Sequence, residues 1–235
     1  MEYDGASFFG WQIQKDRRTV QGEIENALEI ILKEKISLFG SGRTDTGVHA
    51  ENQIAHFESF RKIDRKELIR SLNGILTSDI RVLEVAKVAD DFHARFCAIS
   101  RTYRYQITNQ PKAIGRSFWW HIRYPLQIQT LHQCAEMILG EHDFTSFSKA
   151  NPDLNNRQCT INESQWQKVE NTLIYRVAAN RFLHHLVRNL VGTMTEVARG
   201  KLSSEEFRSL LENPVENANV YRAPAQGLIL ERVDY

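Results

Sequence analysis

Asp45 is the single carboxylate in the stretch Gly40-Ser41-Gly42-Arg43-Thr44-Asp45-Thr46-Gly47-Val48-His49-Ala50. Gly40, Gly42 and Gly47 crowd this stretch, and glycines are expected to give it tight, positive-φ backbone at no steric cost. Short apolar, strand-like runs flank it, Ile36 to Phe39 before and Asn52 to Phe57 after. Such a bend reads as a loop that presents its carboxylate; a turn that Asp45 merely caps is the alternative. The run Arg43-Thr44-Asp45-Thr46 invites phosphoryl transfer on an aspartyl nucleophile, but no second acidic residue stands nearby to hold magnesium. His49, His56, His184 and His185 invite a metal, yet their spacing matches no common zinc pattern and no cysteine pair accompanies them.

A second group of polar residues lies near the C-terminal end. A long helix is expected from about Asn180, with Leu183, Leu186, Val187, Leu190, Val191, Met194 and Val197 as its apolar stripe. Arg181, His184, His185 and Arg188 fall at offsets of three, four and seven, which would place them on one polar face. A cationic face beside an apolar stripe is either solvated surface or the partner of a buried carboxylate. A carboxylate in a cleft needs a charged, hydrogen-bonded partner to stay ionised, and arginine supplies a bidentate one.

The order of several blocks resembles the tRNA pseudouridine synthase A family. These are Glu2-Tyr3-Asp4-Gly5 with Phe8-Phe9-Gly10-Trp11-Gln12, the Gly42–Ala50 signature, Asp91-Phe92-His93-Ala94-Arg95-Phe96, and Tyr103-Arg104-Tyr105. They continue with Gly140-Glu141-His142-Asp143-Phe144-Thr145-Ser146-Phe147, Phe182 to Asn189, and Ala223-Pro224-Ala225-Gln226-Gly227-Leu228. Together they span nearly the whole chain. Family members usually carry several more residues before the Glu2-Tyr3-Asp4 block, so the first strand is expected to be short.

The resemblance implies an enzyme that isomerises uridine to pseudouridine at positions 38, 39 and 40 of the tRNA anticodon stem-loop. It implies Asp45 as nucleophile, Arg188 as the arginine lying against it, and Tyr103 as the substrate tyrosine. Arg43, Asp91, His93, Arg95, His184 and His185 are implied in substrate binding. The reaction breaks N1–C1′, turns the uracil and joins C5 to C1′. No atom leaves and no redox change occurs, so no cofactor and no metal are expected. Whether Asp45 attacks C1′, attacks C6 or helps remove the C2′ proton is open from the residues. The stacked base must be extruded into a pocket, and an aromatic face returns roughly 1–3 kcal/mol of the unstacking cost. The resemblance also implies a homodimer.

Those groups need elements to hold them. Thr19 is the expected N-cap of a helix with Val20, Ile24, Ala27, Leu28 and Ile31 on one face. Asp64 and Glu67 form a capping-box pattern for a second helix, ended by Asn73-Gly74. Ile80 to Val88 and Arg101 to Thr108 read as strands, the latter with Tyr103, Tyr105 and Ile107 on one face. Pro111, Pro125 and the run Phe118-Trp119-Trp120 place a joint at 109–125, between an N-terminal half (1–108) and a C-terminal half (126–235). The C-terminal half should add a helix around Leu131 to Leu139, strands near Ser164 to Glu170 and Leu173 to Ala179, a short helix capped by Ser203 and Glu206, and a last strand from Leu228 to Val233. This mixture lacks a regular βαβ rhythm and is expected to be α+β with mainly antiparallel sheets. The resemblance adds that the halves are related, with the active-site cleft between them.

Net charge is +1 with a pI near 7.8, which is not the balance of a dedicated nucleic-acid-binding domain. RNA would therefore be handled by local clusters: Arg17-Arg18, the Arg61–Arg70 run, and Arg95, Arg101 and Arg104. No apolar run approaches the roughly 20 residues of a membrane span, and no secretory apolar segment follows Met1. Cys97, Cys134 and Cys159 read as reduced thiols of a cytoplasmic protein.

Overall fold

The computed structural model describes residues 1–151 and 156–235. In chain order the strands begin with β1 (Glu2–Tyr3), β2 (Phe39–Gly40), β3 (His49–Ala50), β4 (Ala55–His56) and β5 (Ile80–Arg81). They continue with β6 (Ser100–Thr108), β7 (Trp120–His121), β8 (Gly140–Asp143), β9 (Gln158–Val169), β10 (Thr172–Ala179) and β11 (Leu228–Asp234). The helices are α1 (Val20–Leu32), α2 (Arg65–Ile75), α3 (Ile128–Met137), α4 (Leu186–Ala198) and α5 (Ser204–Glu212). No helix among the described residues is long and apolar enough to cross a membrane. The architecture is α+β, in two compact units: Met1–Ile99 with Ile229–Tyr235, and Ser100–Leu228.

In the first unit, Thr19 caps α1 by accepting the Gly22 N–H, and α1 buries Val20, Ile24, Ala27 and Leu28 of the expected face, with Ile31 only half-buried. Asp64 caps α2 in the same way, through the Glu67 N–H. β1 pairs antiparallel with β5 and β3, and β3 pairs parallel with β11. β2 and β4 form a separate antiparallel ribbon. Two expectations fail here for one reason: α2 runs through Asn73-Gly74 to Ile75, and the strand from Ile80 stops at Arg81. The Asn73 amide takes both backbone groups of Val82, donating to its carbonyl and accepting its N–H, each at 2.8 Å. Arg18, assigned to an RNA-binding pair, is instead a brace. Its guanidinium binds Asp79 at 2.7 Å and Glu23 at 3.1 Å over the Phe8 ring, and that contact holds the Asp79 carboxyl below its ordinary pKa.

In the second unit, β6 pairs antiparallel with β10 from Arg101–Ala179 to Thr108–Thr172. β10 pairs with β9, and β9 with β8. Tyr105, Tyr175, Trp166, Phe144, Phe147 and Phe207 form the core with the buried faces of α3, α4 and α5. The unit begins at Ser100 rather than in a 109–125 joint, because the β6–β10 ladder claims every residue from Arg101 to Thr108. The segment expected to be the joint folds back on the same strand: β7 pairs parallel with β6, and the Ile122 N–H donates to the Thr108 carbonyl. β9 starts six residues earlier than expected, since its first residues pair with β8.

Candidate active site

Asp45 stands half-buried, between buried Thr44 and exposed Thr46. Its loop is held by residues on both sides. The Ser41 N–H donates to the Ile54 carbonyl at 2.7 Å, and its hydroxyl donates to Gln53 Oε1 at 2.7 Å. The Gln53 amide, 0% exposed, donates in turn to the Gly42 carbonyl at 3.1 Å. Thr44 is gripped twice, its hydroxyl by Tyr3 Oη at 2.8 Å and its carbonyl by the Trp11 N–H at 3.1 Å. Burial pushes the Tyr3 hydroxyl up to about 12, so it stays a neutral hydrogen-bonding group. The Val48 N–H then closes a turn onto the Asp45 carbonyl, with Gly47 at φ +77. A positive φ at that third position is where a turn demands glycine.

Gly47 alone of the three loop glycines has a positive φ. Gly40 serves close approach instead: a Cβ there would lie 2.7 Å from the Trp11 indole. At Gly42 a Cβ would meet nothing within 4 Å. The tightest backbone contacts come from the N-terminal block, where Cβ atoms at Gly5 and Gly10 would lie 2.0 Å from the Val48 oxygen and 2.6 Å from the Thr44 oxygen. Gly10 also has φ +84. Gly10→Ala is therefore expected to cost about 1–3 kcal/mol of strain and to shift the Asp45 loop. Thermal unfolding and turnover should fall together; a variant unchanged in both would show that the block does not hold the loop.

His49 and His56 serve the backbone. His49 Nδ1 accepts the Gly5 N–H at 3.0 Å, and His56 Nδ1 accepts the Ala94 N–H at 3.1 Å. Burial, helped by nearby His93, lowers the His56 pKa and favours that acceptor form. His93 stacks edge-on to His56 at 4.6 Å and accepts the Arg95 N–H, while Arg95 lies over the Phe96 ring, which is 75% exposed. Asp91 is exposed at the start of this turn. His93, Arg95 and Phe96 thus share one aromatic turn.

In the second unit Tyr103 is 9% exposed on β6, opposite Val177, its ring edge-on to Phe182 at 5.2 Å. Tyr105, on the same face, is core: its hydroxyl donates to the Pro224 carbonyl at 2.7 Å, and burial raises its pKa well above the ordinary value despite the nearby Arg188 charge. Arg188 is fixed on the Ala223 backbone, Nε donating to its carbonyl at 2.9 Å while the Ala223 N–H donates to the Arg188 carbonyl at 3.0 Å.

The expected polar helix face does not exist. α4 starts at Leu186, capped by His185 in the left-handed region at φ +70, so Arg181, His184 and His185 belong to the preceding loop and only Arg188 is helical. The Lys149 N–H takes the His184 carbonyl at 3.0 Å, and the Arg181 guanidinium binds the Asn156 carbonyl at 3.2 Å. The His184 and His185 rings lie 3.9 Å apart, with Arg188 one turn further on. The apolar stripe of α4 is buried as expected. Tyr3, Gln53 and Asn189 escaped the sequence reading; a glutamine inside the apolar Asn52–Phe57 run was the available signal for one of them.

The family model for tRNA pseudouridine synthase matches residues 1–97 and 134–235. The tRNA pseudouridine synthase A of Chlorobium chlorochromatii is 39% identical over 100% of this chain and 97% of its own length. That of Chlorobaculum tepidum is 40% identical, covering 100% and 96%, and that of Bacteroides fragilis 38%, covering 100% and 94%. The chain belongs to the tRNA pseudouridine synthase family.

Proposed function

We propose that this chain is an isomerase that converts uridine to pseudouridine at positions 38, 39 and 40 of the tRNA anticodon stem-loop, acting in the cytoplasm as a homodimer. The observation that carries the reading is the Gly40–Ala50 loop, a half-buried carboxylate on backbone gripped at Ser41, Gly42 and Thr44. A nucleophile fixed in this way spends little entropy in reaching its target. Asp45 is the nucleophile, and Arg188 is the charged partner that keeps it ionised. Tyr103, as a phenolate favoured by Arg43 or Arg188, takes the proton that C5 must lose once C5 is bonded to C1′, and that proton is returned to N1, so the phenolate is restored. Arg43, Asp91, His93, Arg95, His184 and His185 contact the RNA. All atoms of the uridine remain in the product, so the chemistry calls for no cofactor.

Purified protein incubated with unmodified tRNA transcripts tests this. Pseudouridine should form at positions 38–40 with EDTA present and nothing else added; its formation only elsewhere, or not at all, would overturn the reading. Sedimentation at micromolar concentration tests the dimer, and a fully active monomer would remove it.

A further inference from the structure

We propose that the second unit carries a pocket for one phosphodiester of the RNA backbone, next to Arg188. The cavity measures about 270 Å³ and is bounded by Ser146, Ser148, Lys149, Asn189, Asn217 and Arg222. A cavity of this size has room for one tetrahedral anion. Two cations, two hydroxyls and two amides line it, and no carboxylate does so among the described residues. Glu216, on the adjoining loop, is already taken by Arg157 at 2.6 Å. Lys149 and Arg222 have no ion pair among the described residues.

The cationic wall is positioned from beneath. Asn189 is 3% exposed; its Nδ2 donates to the Phe147 carbonyl at 2.8 Å, which leaves Oδ1 to accept Arg222 Nε at 3.3 Å. This contact uses Nε of the guanidinium, and its terminal nitrogens have no partner among the described residues. The Ser146 hydroxyl accepts the Val215 N–H at 2.9 Å and keeps its own proton to donate. Gly192 allows the chain at 221–223 to press on α4, since a Cβ there would lie 2.0 Å from the Tyr221 oxygen. The pocket is also tied to the groups assigned above. Asn189 follows Arg188, Ala223 binds Arg188 through both its N–H and its carbonyl, and the Lys149 N–H holds the His184 carbonyl. A phosphate seated here would set the register of the substrate strand against Arg188 and His184. The inference rests on the proposed tRNA function and extends it to a backbone contact.

The test is binding of an unmodified anticodon stem-loop RNA over a range of salt, with single methylphosphonate linkages placed in turn along the strand. Lys149→Ala and Arg222→Ala should each weaken binding about tenfold and reduce the salt slope by about one. One neutral linkage should weaken the parent similarly and Arg222→Ala no further. Losses that add in full at every linkage, or affinity and slope unchanged in both variants, would overturn the pocket. Inorganic phosphate that stabilises the parent but not Arg222→Ala, with RNA affinity equal in both, would assign the site to a free anion instead and likewise overturn it. Pseudouridine is measured in the same samples. A parent that binds RNA without converting it removes the isomerase reading and leaves the pocket to its own result; a parent that binds no RNA removes both.

Discussion

Asp45→Asn should abolish turnover while tRNA binding persists. Asparagine keeps the size of the side chain and its hydrogen-bonding capacity but loses the charge and nearly all the nucleophilicity. Loss of a covalent nucleophile is expected to cost on the order of 10⁴-fold or more. The loop should survive the change, because Tyr3, Trp11 and Gln53 hold its Thr44 hydroxyl and its backbone, and the Asp45 carbonyl accepts the Val48 N–H. Single-turnover rates on a stem-loop substrate, with affinity measured in parallel, decide the matter. A rate within tenfold of the parent would remove Asp45 from the mechanism, and lost binding would give it a binding role instead.

Tyr103→Phe and Tyr103→Leu separate two roles of one side chain. If the ring only stacks on the extruded base, phenylalanine keeps that face and most of the activity, and leucine loses both. If the hydroxyl moves a proton, both variants fall by roughly 10²–10⁴-fold, the usual span of general acid–base catalysis. The second outcome is expected on the proposed mechanism, in which Asp45 is engaged with the sugar or the base and the C5 proton needs another acceptor. Packing supplies an internal control. The Tyr103 ring meets Phe182 edge-on at 5.2 Å, a contact of about 0.5–1.5 kcal/mol that Phe preserves and Leu removes. Loss of that ring contact should therefore lower thermal stability further in the leucine variant than in the phenylalanine one. An inactive but fully stable Tyr103→Phe would isolate the hydroxyl, and a fully active Tyr103→Leu would exclude both roles.

Features that depend on nearby residues were readable from the chain. Thr19 and Asp64 cap the helices they were expected to cap, and Ser203 with Glu206 closes a reciprocal capping box, because a cap is satisfied within three residues of itself. The buried stripe of α4 and the β6 and β10 strands follow from periodicity in the same way. Asp45 stood out because a glycine-rich stretch with one carboxylate is a local pattern. Arg188 and Tyr103 carried no such pattern, and their roles came from the resemblance.

Tertiary structure decided what depends on distant partners. Arg17-Arg18 looked like a pair of surface cations until Asp79, sixty-one residues away, claimed Arg18. The strand after Ile80 is cut short by the Asn73 side chain, and no periodicity in 80–88 could announce a competitor on a neighbouring helix. His185 sits at positive φ, so the regular spacing from Arg181 to Arg188 never becomes a helical face. The roles of the glycines divide in the same way. Gly47 answers to its own turn, whereas Gly5, Gly10 and Gly40 answer to Val48, Thr44 and Trp11, which only the folded chain brings against them. The order of residues was enough to show that a carboxylate is presented on a bend. How firmly the bend is held was set by long-range hydrogen bonds and close backbone contacts, which form only when segments far apart in sequence pack together.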